Sequence, residues 1–196
     1  MVLSSDTIRK LIENGELVDS RGSTYDPKNK CVVETKTYLL SEDGPIGPNG
    51  IDIRIGDSFK RIKMESLGFL EASKAKSYVP EVIPQLPGGG IYLHSGQFCL
   101  ATSEEYLILP NDVMGIVDAR STVGRMGLVI QTAMFIQAGY HGKITLELRN
   151  DASVPILIKP YDIVGQIDFM RLDQPTPSPY HGQYQGQNTT TAPGEM

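Results

Sequence analysis

The feature that most restricts this chain is a succession of short apolar segments beginning at Ile91. Ile91–Leu93, Phe98–Thr102, Tyr106–Leu109, Val113–Ala119, Val154–Ile158 and Ile163–Arg171 follow one another with Gly, Pro, Asn and Asp between them. Short strands at this spacing predict an antiparallel sandwich or barrel. Lys143–Leu148 alternates as a half-buried strand does: Ile144, Leu146 and Leu148 share one face, and Lys143, Thr145 and Glu147 share the other. No internal repeat is visible.

Upstream the pattern is looser. Ser4–Asn14 is the only convincing helix, with Ser4 or Ser5 as its cap, Ile8, Leu11 and Ile12 on one face, and Gly15 as its stop. From Asp19 to Pro48 the chain is polar and punctuated by Asp26-Pro27, Glu42-Asp43-Gly44-Pro45 and Gly47-Pro48, which predicts long connections around one strand near Cys31–Leu40. Ile51–Ile55 alternates cleanly and ends at Gly56. Ser66–Gly90 closes on Pro84, Pro87 and three glycines, and reads as a surface excursion between strands. After Arg171, Pro175, Pro177 and Pro179 lead into a Gly, Gln and Thr-rich stretch that cannot make a core. The expected division is a β domain over 1–174 and a tail over 175–196.

A chain of 196 residues is long enough for one domain with a sizeable core. Its 40% hydrophobic and 21% charged content fits a soluble globular protein. A net charge of −5 argues against general nucleic-acid binding, yet leaves room for a small anion held by a local cluster of cations. No apolar run approaches the roughly 18 residues of a membrane span and no signal peptide opens the chain, so a cytoplasmic protein is expected. Cys31 and Cys99 lie far apart without a C-x-x-C and read as ordinary buried thiols.

The chemistry concentrates between Ala119 and Asn150. Arg120-Ser121-Thr122, Gly124-Arg125 and Gly127 read as a strand breaking into a tight turn or a single helical turn, where N–H groups and small side chains can face an anion. Leu128–Ile130 then leads to Ala138-Gly139-Tyr140-His141-Gly142, a turn with two glycines, and on to the alternating strand. A carboxylate on the inner face of such a strand, opposite an Arg and a Ser, is a candidate general acid/base. Each part has a plainer reading when taken singly. A strand Glu is commonly a solvated face residue, and an Arg-Ser-Thr turn can be a capped turn. His94, His141 and His181 lack metal-type spacing and read as surface side chains.

Taken in order, these motifs resemble the signature region of the dCTP deaminase and dUTPase superfamily: R-S-S-x-x-R-x-G, then T-A, then I-D-x-G-[YFW]-x-G-x-[IL]-T-[LI]-E. Pro48–Gly56, Leu109–Gly115 and Pro179–Gln187 match further stretches, the last two favouring the deaminase branch, so the resemblance spans most of the chain. It implies a mainly β fold, a distorted jelly-roll or β-barrel of the dUTPase-like type with a short N-terminal helix. It also implies a homotrimer with sites built across subunit boundaries, and zinc-independent deamination of dCTP to dUTP and ammonia. The zinc route needs H-x-E and P-C-x-x-C, and neither occurs.

In the scheme that the resemblance implies, Glu147 is the general base for the water that attacks C4. Ser121, Arg125 and the backbone carbonyl of Ala133 position the water and the amino group, and Arg125 beside Glu147 favours the ionised carboxylate. Arg120 and Thr122 suit the triphosphate and its Mg²⁺. Tyr140 occupies the aromatic position of the two-glycine turn, while Tyr180 and Gln187 match tail positions that close on the phosphates as a lid.

Three departures from the pattern matter. Gln137 stands where the superfamily has an aspartate, which in the dUTPase branch activates the water that attacks the phosphate chain and contacts the sugar 3′-hydroxyl. An amide can keep the sugar contact but cannot take the proton. Diphosphate release is therefore expected to fall by two orders of magnitude or more, if general-base catalysis contributes its usual roughly 10²–10⁴. Gln183 replaces a lysine directed at the phosphates. The interval from Ser121 to Ala133 is one residue shorter than in common bacterial members, and Gln131 near the base pocket could recognise an altered pyrimidine. Two alternatives follow: a dUTPase-type pyrophosphatase acting on dUTP or dCTP, which Gln137 opposes, and a catalytically silent nucleotide-binding regulator, which Glu147 opposes.

Overall fold

The computed structural model describes residues 1–26, 31–63, 68–131 and 133–193; Pro27, Ser66, the threonine of the T-A motif (Thr132) and tail residues 194–196 lie outside the described residues. The chain opens with α1 (Ser5–Glu13), β1 (Leu17–Val18), β2 (Ser23–Asp26), β3 (Cys31–Glu34) and α2 (Thr35–Leu40). The long strand β4 (Gly50–Ile62) follows, then a 3₁₀ turn over Ala72–Ser77, β5 (Pro80–Val82), β6 (Ile91–Leu93), β7 (Phe98–Ile108) and β8 (Val113–Ala119). The helical turn α3 (Ser121–Gly124) leads to β9 (Leu128–Gln131), β10 (Phe135–Ile136), β11 (His141–Asn150), β12 (Ile156–Ile158) and β13 (Ile163–Arg171). The fold is mainly β, as the alternation requires.

One antiparallel sheet runs in the order β10-β8-β13-β4-β7-β11-β9, with β1 laid along β7 and β5 along β4. Two ribbons, β6–β12 and β2–β3, complete the strands described. β4 serves both halves of the sheet: Gly50–Arg54 pairs with β13, and Ile55–Lys60 pairs with β7, with a register irregularity between Ile55 and Phe59. The strand therefore bends at Gly56 and continues, where the sequence predicted an end; a bulge bends a strand without ending it. β9 and β10 stand at opposite ends of the order, yet only residues 132–134 separate them. Four Cα steps reach at most about 14 Å, so the sheet must curl until its two ends nearly meet.

The core fills that curl, with Ile51, Ile53, Phe59, Leu146, Leu148, Ile167 and Phe169 all buried. α1 closes one side: Ile8 and Ile12 are fully buried, each contributing about 1.5–3 kcal/mol relative to exposure. Leu11 packs beside them on the predicted face. Ser4 holds the N-cap position without a side-chain cap bond, and its hydroxyl pairs with that of Thr7 at 3.2 Å.

Two further expectations are corrected. The predicted strand Cys31–Leu40 stops at Glu34, and Thr35–Leu40 is helical. Tyr38 and Leu39 are buried there, and the Arg54 guanidinium lies 4.3 Å from the Tyr38 ring. The two strands expected at 98–102 and 106–109 are one, because the polar residues between them are satisfied inside the fold. Ser103 Oγ donates to the Glu105 carbonyl at 2.8 Å and accepts the Ile144 N–H at 2.9 Å. Glu105 accepts Arg54 Nε at 2.7 Å and the Arg54 backbone N–H at 2.9 Å. Burial pushes the Glu105 carboxyl up against the pull of Arg54. Breaking such a buried pair by removing one partner costs about 3–5 kcal/mol.

Cys99 is buried, and burial pushes its thiol up to about 12, as expected of an inert core cysteine. Residues 68–90 form the excursion, which returns to the sheet as β5 on Lys60–Ile62. Among the described residues no helix is long and apolar enough to cross a membrane.

Candidate active site

β11 sets the site. Ile144, Leu146 and Leu148 turn into the core while Lys143, Thr145 and Glu147 are half-buried on the other face, as the alternation predicted. Across the sheet Glu147 stands between Leu100 of β7 and Gln131 of β9. A cavity of about 290 Å³ opens on this face. Its apolar wall includes Leu100, Val117, Ile136 and Ile144, and its polar side chains include Glu147 and Thr145. Burial raises the Glu147 carboxyl above its ordinary range, and no other cause contributes. Among the described residues Glu147 makes no ion pair.

Of the residues picked out in the sequence, Ala133, Gln137, Tyr140, Tyr180 and Gln187 border the same cavity as Glu147. The Tyr140 hydroxyl donates to the Lys143 carbonyl at 2.6 Å, and burial raises its pKa further. The Ala133 carbonyl accepts the Phe135 N–H at 2.5 Å, which leaves its second lone pair for a ligand.

The tail lies over this opening. Tyr180 meets Tyr140 edge to face at 5.5 Å, and its N–H bonds the Ala138 carbonyl at 2.9 Å. The Gln187 carbonyl accepts the Lys143 N–H at 2.7 Å, and Gln187 Nε2 donates to Thr145 Oγ1 at 2.7 Å. Thr190, fully buried, donates from Oγ1 to the Ser58 carbonyl at 2.5 Å. The two glycines of the turn make this docking possible. At Gly139 (φ +82°) a Cβ would meet Pro179 Cβ at 2.5 Å; at Gly142 (φ +147°) it would meet the Tyr140 hydroxyl at 2.8 Å and the Gln187 nitrogen at 3.0 Å.

Sequence reasoning missed Leu100, Thr145, Tyr184 and Thr191, which also border the cavity. Thr145 was within reach, since it shares the Glu147 face; Leu100 needs the register between β7 and β11, which no local pattern carries. A smaller recess of about 220 Å³, lined by Lys60 and tail residues 186–191, adjoins the cavity through Gln187 and Thr191.

The Arg120–Arg125 turn behaves differently. It forms the single helical turn expected, but Ser121, Thr122 and Arg125 are exposed and do not border the cavity. Within the protomer Arg125 is not beside Glu147, and burial alone shifts that carboxyl upward. Arg120 pairs with Asp52 at 3.2 Å on a partly exposed surface. Gln131 faces the same side as Glu147 but is exposed at the sheet edge. Gln183 accepts Lys76 Nζ at 2.9 Å, so a cation from the excursion stands beside the position where the tail lacks one. His94, His141 and His181 are all exposed. Among the described residues no group of three or more His, Cys, Asp or Glu side chains is placed to hold a metal ion.

Chemically, the cavity offers one half-buried carboxylate for proton transfer, apolar walls for a planar ring, and a tail rich in amide and hydroxyl groups. A sequence model of a family described as dCTP deaminase-like matches residues 2–172. The chain belongs to the dCTP deaminase family. Its members are hydrolases, and the dUTPase-like β fold described above is the fold of the family.

Among its relatives is the dCTP deaminase, dUMP-forming, of Persephonella marina, 34% identical over 197 residues and covering 98% of this chain and 96% of that one. The protein of the same name from Dictyoglomus thermophilum is 32% identical over 198 residues, covering 98% and 93%. Among solved structures, the 2′-deoxycytidine 5′-triphosphate deaminase of Agrobacterium tumefaciens shares the fold with a TM-score of 0.58 and 24% identity. The match takes in 86% of this chain and 47% of that one, so this chain spans about half the length of the Agrobacterium protein.

Proposed function

We propose that this protein hydrolyses the C4 amino group of dCTP, with Glu147 as general base. The observation that carries the proposal is the lone carboxylate of Glu147, half-buried in the cavity wall beneath the tail and raised by burial above its ordinary range. The carboxylate takes a proton from water as the oxygen bonds to C4, and it returns that proton to N3. The tetrahedral carbon then expels ammonia, the hydroxyl proton passing to the leaving nitrogen, and a uracil ring remains.

Ser121, Arg125 and the Ala133 carbonyl position the water and the amine. Ser121 and Arg125 come from a neighbouring copy, in a homotrimer whose sites are shared; their exposure in the protomer supports this. A guanidinium delivered in that way would pull the raised Glu147 carboxyl back towards ionisation. The Arg120–Asp52 pair is of the partly exposed kind that is worth about 0–1 kcal/mol. Arg120 can therefore turn to a phosphate, with Thr122 beside it, at little cost. Mg²⁺ enters as part of the nucleotide triphosphate. Residues 175–196 act as the lid, with Tyr180 and Gln187 as its contacts and Gln183 holding Lys76 at the rim.

The product proposed is dUTP. Gln137 borders the cavity, and its amide cannot accept a proton from the water that would cleave the phosphate chain. A second reading, continued hydrolysis to dUMP, is favoured by the names of the Persephonella and Dictyoglomus relatives. Incubation of the purified protein with dCTP and Mg²⁺, followed by chromatography of the nucleotides, separates the two. Accumulating dUTP with little dUMP supports the first, and Gln137→Asp should then add dUMP. Appearance of dUMP without a build-up of dUTP overturns it.

A further inference from the structure

We infer that the cytosine ring binds with its C5 edge against Leu100 and its N3–O2 edge towards Gln131. Leu100 then limits what C5 may carry, and Gln131 is a positioning residue for N3. The inference rests on the deaminase reading above and concerns which way round the ring lies.

Leu100, Glu147 and Gln131 are direct cross-strand neighbours on β7, β11 and β9. Side chains paired in this way share a face of the sheet, with Cβ atoms about 4.5–5.5 Å apart. The three therefore form a row: a hydrocarbon on one side, a carboxylate in the middle, a carboxamide on the other. The ends of the row are not equivalent. Leu100 is 5% exposed and forms part of the cavity wall with Val117 and Ile144, whereas Gln131 sits exposed on the strand at the end of the sheet order.

A cytosine has the same asymmetry about C4. On one side of C4 is C5, whose C–H needs no hydrogen bond. On the other side is N3, with the C2 carbonyl beyond it, and both require donors. With C4 in front of Glu147, one edge must face Leu100 and the other Gln131. Placing N3 and O2 against Leu100 would leave two acceptors unpaired beside hydrocarbon, the costly arrangement, and would set the amide against a C–H. The opposite placement puts the C–H against hydrocarbon and the two acceptors on the side of the amide and solvent. The carboxamide supplies an N–H for O2 or N3 in the substrate, and its carbonyl can accept the N3–H that forms once the ring is protonated. A valine or leucine at 131 would do neither.

The test compares kcat/KM for dCTP and 5-methyl-dCTP in the whole protein and in Leu100→Val, Leu100→Ala and Gln131→Leu, with circular dichroism to confirm folding. Removing one methylene at a pocket wall changes discrimination by about 10–200-fold. Shortening Leu100 should raise the 5-methyl-dCTP to dCTP ratio by about tenfold or more, and Leu100→Val reads the same change with less disturbance of the core. Gln131→Leu should lower kcat/KM about tenfold for both nucleotides, leave their ratio unchanged, and steepen the fall in rate as N3 protonation becomes limiting at high pH. A ratio that moves with Gln131 and ignores both Leu100 variants would show the ring reversed and overturn the inference alone. A wild-type protein that releases no uracil or thymine nucleotide from either substrate would overturn the deaminase reading and this inference with it.

Discussion

The strand that carries Glu147 and the turn that carries Ser121, Thr122 and Arg125 belong to one continuous stretch of sequence, yet the fold treats them in opposite ways. On β11 Thr145 and Glu147 are half-buried between buried apolar residues and border a cavity roofed by the chain's own tail. On α3 the polar side chains stand in solvent, away from that cavity. The first arrangement is settled energetically within one chain. The second presents hydroxyls and a guanidinium with nothing of its own chain to act on. The difference teaches that one protomer presents a carboxylate in a covered cavity and, apart from it, a turn of exposed polar groups, and that on the proposed reading a complete site needs a second copy.

The sharpest way to break this comparison is Glu147→Gln. Turnover of dCTP should fall by at least the roughly 10²–10⁴ of general-base catalysis, while dCTP binding by calorimetry stays within a few-fold. Appreciable residual deamination would remove the wall's privileged role. Next in size is complementation. Glu147→Gln and Arg125→Ala should each be nearly inactive alone, yet after mixing and subunit exchange about one quarter of wild-type activity should return if each site takes one group from each of two copies. No recovery would place both groups in one protomer.

A smaller effect comes from Gly142→Ala, whose methyl would meet the Gln187 backbone and the Tyr140 hydroxyl. The tail should dock less well, raising KM for dCTP about tenfold, the equivalent of 1.4 kcal/mol, and exposing residues 175–193 to protease. An unchanged KM would mean that the tail does not act on substrate.

The smallest effect concerns pH. Burial raises the Glu147 carboxyl, so the fold disfavours its ionised form relative to the unfolded chain. The stability this contributes is fully present below the unfolded pKa and is lost as pH rises through the folded one. Glu147→Gln should therefore raise Tm slightly at pH 8, by roughly 1–2 °C, and hardly at all at pH 4. In the assembled enzyme a neighbouring Arg125 should shrink that difference, so an equal effect with and without Arg125→Ala would count against the shared site.

How much of this was legible in the sequence follows the same division. β8 and β13 were readable to the residue and β11 in its central six, because one buried face forces a period of two. Thr35–Leu40 was misread because Thr-Lys-Thr-Tyr favours a strand locally, while burial of Tyr38 and Leu39 against the Arg54 cluster favours a helix. The continuity of β7 was hidden because Ser103 and Glu105 look like a break unless their partners on β4 and β11 are known. Motif order picked out Glu147, Tyr140, Tyr180 and Gln187, and one cavity gathers all four. The cross-strand row through Leu100 was not legible, since register between distant segments leaves no local trace.

The three residues that join β9 to β10 bear a consequence of their own. They link the two ends of the sheet order, and Ala133, whose carbonyl is proposed to face the amine, lies among them. The described end of this link is turned rather than extended, with Met134 at φ +56° and the Ala133 carbonyl accepting the Phe135 N–H, so a residue inserted or deleted there would move the Ala133 carbonyl relative to Glu147. Chain length at this seam thus works as a gauge of the pocket. A lineage could retune its choice of base by a single codon gained or lost, while the rest of the barrel kept its stability.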